Sequence, residues 1–164
     1  AGIAELGRLL RADAGLAAEA LRALRVAVHW DTGVAPPRTH RVMQVFASAL
    51  PVAYSRVPGE QWEPFARLVL EGAYEATLAA AAVEARRRRR EGAGGTGGEA
   101  ERRMRVYLTK LGGGAFGNED RWIADAIERA LELFKGEPLD VAVVHYGKEV
   151  PRNWAWVGKA FFPP

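Results

Sequence analysis

Between Arg105 and Phe134 the hydrophobic rhythm of the chain changes from that of a strand to that of a helix. Val106, Tyr107, Leu108 and Leu111 form a short apolar run of β-formers behind the charged Glu101, Arg102 and Arg103. Trp122, Ile123, Ala126, Ile127, Ala130, Leu131 and Phe134 then recur at helical spacing and make one apolar stripe. Gly112, Gly113 and Gly114 separate the two patterns and free the backbone there. Asn118 is placed to cap the helix, with Glu119 and Asp120 in its first turn, facing the positive end of its dipole. The pattern therefore predicts a buried strand, a glycine-rich turn and an amphipathic helix.

The same reading extends to both sides. Residues 3–24 suit a helix, with Leu6, Leu9, Leu10, Leu16, Ala17, Ala20, Leu21 and Leu24 on its apolar face and a break near Ala14–Gly15. Residues 25–30 alternate and are β-branched, which predicts a strand closed by Asp31, Thr32 and Gly33; Pro36–Pro37 mark a loop. Arg41 to Ala49 is a second strand, limited by Pro51, and the span to Gly59 reads as an irregular connection holding Tyr54 and Pro58. The longest helical signal runs from Gln61 to about Arg88, with the small residues Gly72, Ala73, Ala76, Ala79 and Ala80 suited to lie close against a sheet. Residues 91–101 are low-complexity and glycine-rich, a flexible surface loop. After Gly136, Glu137 and Pro138 stop the second helix of this half, Leu139 to Tyr146 is a strong strand, and the aromatic-rich residues 147–164 are aperiodic.

Helix and strand alternate through the later half with connections long enough for parallel crossovers. The expected class is α/β with a mixed or parallel sheet. In such sheets a ligand sits outside the carboxyl ends of the strands, which is where Gly112–Asn118 falls. With 164 residues, 49% of them hydrophobic, the chain is read as one domain with a core of its own.

Composition narrows the chemistry. The absence of cysteine removes disulfides, thiolate zinc sites and cysteine nucleophiles, and fits an intracellular setting, cytoplasmic or nuclear. His29, His40 and His145 show no metal-ligand spacing, so neither a metal nor a cofactor is implied. No apolar run approaches the roughly 20 residues of a membrane helix, and no membrane partner is expected. The net charge of +3 owes much to Arg86–Arg90; without them the balance is slightly acidic, so nucleic-acid binding would have to rest on that run.

A strand that ends in a glycine-rich turn and opens into a helix N-terminus gathers free N–H groups, which suit a phosphate. The competing reading of Gly112–Asn118 is a tight turn without a ligand. A P-loop is excluded because no Gly-Lys-Ser/Thr follows the glycines and Lys110 precedes them. Asp31 and Thr32 are candidate contacts to a nucleoside, weighed against a strand-terminal turn, and Ser48 is a candidate polar contact, weighed against a plain strand hydroxyl. Glu119 and Asp120 could serve as an acid or base beside the turn, but a carboxylate there would repel a diphosphate, which favours helix capping. His29 and His145 read as core or half-buried histidines. Arg86–Arg90 read as a solvated helix end, and Trp154 and Trp156 as packing residues.

The segment Leu111-Gly112-Gly113-Gly114-Ala115-Phe116-Gly117-Asn118, after VYLTK and before a helix, resembles the second diphosphate-binding loop of macro domains. It is most like the form in the microbial poly(ADP-ribose) glycohydrolase-like branch. The alanine-rich helix before it, the helix and LDVAVVHY after it, and VMQVFASALP further upstream agree, so that the resemblance covers about residues 40–147. It implies a three-layer α/β/α sandwich that binds ADP-ribose or a related nucleotide diphosphate. The amides of Gly113, Gly114, Ala115 and Phe116 would meet the diphosphate, and Phe116 would pack on a ribose or else serve as a core aromatic. Neither Asn-Ala-Ala-Asn nor Gly-Gly-Gly followed by Gln-Glu-Glu is present. The family's front portion is thus expected to lie upstream of this chain or to have diverged, and no catalytic residue is assigned for ADP-ribosyl hydrolysis. The alternative function is a non-catalytic interaction module that binds protein or nucleic acid through Arg86–Arg90 and the aromatic tail.

Overall fold

The computed structural model describes residues 2–91, 103–144 and 154. The expected glycine-rich loop, His145, Tyr146, Trp156 and the rest of the tail lie outside them. Two helices open the chain, α1 (Gly2–Ala12) and α2 (Ala14–Ala23). The break falls at Asp13, whose extended backbone lets its carboxylate accept from the Leu16 amide at 3.0 Å. It is an aspartate N-cap, and not Gly15, that splits the predicted helix.

Strands β1 (Ala27–Gly33) and β2 (Arg41–Phe46) form an antiparallel hairpin, with Ala27 opposite Phe46 and Thr32 opposite Val42. Its register slips between His29 and Thr32, where Asp31 takes a positive φ of 52°. Strand β2 stops three residues short of the predicted Ala49. Ala49 is instead buried in the core at 4% exposure.

Helix α3 (Gly59–Arg90) is the central support. Leu70, Tyr74 and Leu78 recur every fourth residue on its buried side, continued by Ala81, Ala82 and Ala85. Gly72 does not face a sheet, as its small size predicts. A Cβ there would lie 2.9 Å from Leu24 Cδ1, so the glycine admits the end of α2.

Strands β3 (Met104–Thr109) and β4 (Leu139–Val144) pair in parallel, from Met104 opposite Leu139 to Thr109 opposite Val144. Helix α4 (Asp120–Leu133) makes the crossover between them. Its stripe packs on α3, with Ile123 and Ile127 fully buried between the helices and the β3–β4 pair. Each such isoleucine contributes about 2 kcal/mol by burial.

The architecture is α/β, with its strands in two separate two-stranded sheets among the described residues. The hairpin strands satisfy each other through a reverse connection, and β3–β4 stand as their own pair. No helix among the described residues is long and apolar enough to cross a membrane.

Candidate functional site

The turn from Lys110 to Glu119 is held in shape from three sides. From beneath, Tyr74 of α3 donates its hydroxyl to the Thr109 carbonyl at 2.8 Å and accepts from the Leu111 amide at 3.0 Å. Burial pushes its pKa up to about 12, so it remains a donor at any physiological pH. The turn also closes on itself: the amides of Gly113, Gly117 and Asn118 bond to the carbonyls of Lys110, Gly114 and Gly112 at 3.3, 3.0 and 3.0 Å.

The second side is the segment after β2. Ala49 lies against Gly112, Leu50 accepts from Asn118 Nδ2 at 2.8 Å, and Ala53 donates to the Phe116 carbonyl at 2.9 Å. Ala53 Cβ also sits under Gly117. Ser48, a candidate contact, adjoins this wall and turns its hydroxyl to the Ala49 carbonyl at 3.1 Å.

The third side is charged and aromatic. Lys110 Nζ binds Asp120 Oδ1 at 2.6 Å, and Trp154 donates its indole N–H to Asp120 Oδ2 at 3.2 Å. Lys110 lies 5.7 Å from the centre of the Trp154 ring, which is itself buried at 7% exposure. Asp120 is thus engaged in pairing, and Trp154 packs as expected.

Asn118 does not cap α4. Its side chain is buried and donates to Leu50 and, at 3.3 Å, to Gly112, so the cap position passes to Glu119, whose side chain makes no cap bond. Asn118 is a cross-brace between the turn and its second wall. Its Oδ1 is buried without a partner among the described residues.

The glycines divide by what surrounds them. Gly112 and Gly117 have positive φ, 72° and 70°, and a Cβ at either would collide with Ala49 at 2.3 Å or Ala53 at 2.7 Å. At Gly113 a Cβ would meet the Lys110 side chain at 2.4 Å. Packing or conformation accounts for all three. Gly114 is different: it is exposed, its φ is ordinary, and a Cβ there would have no heavy atom within 4 Å. The amides of Gly114, Ala115 and Phe116 make no hydrogen bond among the described residues. The Gly113 amide, expected to face a ligand, is spent inside the turn. Phe116 is half-buried against the core, and Tyr54 meets its ring edge-on at 5.7 Å and 73°.

The remaining candidates lie elsewhere. Asp31 and Thr32 sit at the bulge of the β1–β2 hairpin; Asp31 offers its carbonyl to Arg41, and no hydrogen bond joins either residue to the turn among the described residues. His29, expected to be core or half-buried, is instead exposed on the same two-stranded hairpin. Among the described residues no three histidine, aspartate or glutamate side chains come together as a metal site.

The arginine run is largely spent within the fold. Arg86 pairs with Glu137, Arg87 with Glu84 and Glu91, and Arg88 with Glu84. Glu84 is buried at 1% exposure, and bonds from Arg87 and then Arg88 hold its pKa down to about 2 against the cost of burial. Sequence reasoning missed this buried carboxylate, the Tyr74 clasp and the Ala49–Tyr54 wall. Only Tyr74 carried a signal, as a hydroxyl placed on the buried rhythm of α3 and therefore in need of a partner. No protein-family model, curated protein or solved structure matches the chain.

Proposed function

We propose that this chain binds ADP-ribose or a related nucleotide diphosphate at the turn between β3 and α4, as a macro-like domain. One observation carries the reading: three consecutive amides, Gly114 to Phe116, have no partner among the described residues, on a turn that Tyr74, Asn118 and its own Gly113, Gly117 and Asn118 amides brace. Diphosphate oxygens would gain charge-assisted hydrogen bonds from donors already fixed in place. Gly114 leaves the approach open, since a Cβ there would meet no heavy atom within 4 Å among the described residues. On this reading the helices and the β3–β4 pair belong to a three-layer α/β/α sandwich.

The reading is of a binding site. Asp120, the carboxylate at the start of α4, is engaged with Lys110 and Trp154, and no residue is assigned to hydrolysis. Calorimetric titration with ADP-ribose should give saturable binding, and Gly114→Leu should abolish it. Absence of heat with the intact protein, or unchanged binding by the variant, refutes the proposal.

A further inference from the structure

We infer that Tyr54 is a specificity-determining residue of this site: its ring forms the wall against which the sugar or base ring of a nucleoside diphosphate lies. The inference rests on the diphosphate reading of the turn and names what that site would select beyond the anion.

Tyr54 is 69% exposed, so the fold gains little by burying it, yet its backbone is fixed on both sides. Its own amide bonds to the Pro51 carbonyl at 3.1 Å, and the preceding Ala53 amide bonds to Phe116 at 2.9 Å. The following Ser55 accepts from the Trp62 indole at 2.9 Å. The ring is therefore presented from an anchored 3-10 turn, Val52–Tyr54, and not from a loose tip.

Its neighbour is Phe116, whose amide, like those of Gly114 and Ala115, has no partner among the described residues. An oxygen held by that amide lies beside the residue that Tyr54 touches. In a nucleoside diphosphate the next group along from the anion is a ring, with an apolar face suited to an aromatic wall. Phe116 has its own edge contact and core packing to satisfy, whereas most of the Tyr54 surface is open. The amides supply affinity for any diphosphate; Tyr54 supplies preference for one that carries a ring.

The test compares ADP-ribose with inorganic pyrophosphate on the full chain, by calorimetry and phosphorus NMR, for the wild type, Tyr54→Ala and Tyr54→Phe. Tyr54→Ala should weaken ADP-ribose about tenfold or more and leave pyrophosphate within about twofold, while Tyr54→Phe should keep wild-type affinity for both. The unchanged pyrophosphate response shows that the turn stays formed. The inference is overturned if Tyr54→Ala binds ADP-ribose as the wild type does, if both compounds weaken in proportion, or if Tyr54→Phe loses as much as Tyr54→Ala. A wild type that binds neither compound overturns the reading of the turn itself. A wild type that binds both, with Tyr54 indifferent, overturns this inference alone.

Discussion

The turn between β3 and α4 and the C-terminal end of α3 both gather hydrogen-bond donors that an anion would meet. The arginine end has far more formal charge. Yet Arg86, Arg87 and Arg88 are bound to Glu137, Glu84 and Glu91, whereas the turn keeps the uncharged amides of Gly114, Ala115 and Phe116 without partners among the described residues. Charge written in a sequence does not measure the capacity to bind an anion. What counts is which donors remain after the fold has satisfied its own acceptors, and how firmly they are held.

The sharpest way to test that contrast is inside the turn. Gly112→Val forces a positive φ and a clash with Ala49, and should destabilise the fold by about 3 kcal/mol, read as a lowered urea midpoint. Gly114→Leu should change stability by less than about 1 kcal/mol while eliminating ligand binding. If both glycines behave alike, the division between bracing and presenting residues is wrong.

Asn118→Ala comes next, at about 2 kcal/mol, because it removes both side-chain hydrogen bonds and leaves the carbonyl of the partly buried Leu50 short of its donor. A variant as stable as the wild type would deny the turn its cross-brace.

At the arginine end, Glu84→Gln should cost about 1–2 kcal/mol at neutral pH, since its guanidinium partners are only half-buried. The folded-state pKa lies below the unfolded value, so this contribution is complete above the ordinary pKa of 4.5 and fades as pH falls towards about 2. Melts of wild type and variant should therefore converge across that window; a constant gap would mean that the carboxylate charge is not what stabilises.

The smallest effect is expected from Arg89→Ser with Arg90→Ser, within about 0.5 kcal/mol of the wild type and without change in ADP-ribose binding. Neither arginine has a carboxylate partner among the described residues. Strong, salt-sensitive retention on nucleic acid that disappears in this double variant would restore the arginine run as a binding surface.

Features with a local cause were readable in the chain. The stripe from Trp122 to Ala130 and the apolar strands 104–109 and 139–144 follow from periodicity. The break after α1 was expected near Ala14–Gly15 from the glycine, and falls beside it at Asp13, whose capping carboxylate is the actual cause. Local signals failed where distant segments decide. Asn118 has the form of a helix cap, but the Leu50 carbonyl, far back along the chain, claims its amide. The connection from Ala49 to Tyr54 carries no periodicity, and only its contacts with Gly112, Phe116 and Gly117 make it a wall. Likewise, four glycines in one turn look equivalent on paper; their surroundings set Gly114 apart from Gly112, Gly113 and Gly117.

Because β3 and β4 point the same way, the chain leaves the second strand on the same rim of the sheet as the turn it shares with the first. Trp154, beyond that exit, reaches back to hold Asp120. The stretch that carries Trp154 is thus coupled to the turn: removing it would strip the indole from Asp120 and Lys110, and the damage would surface as a loosened turn rather than as a lost strand.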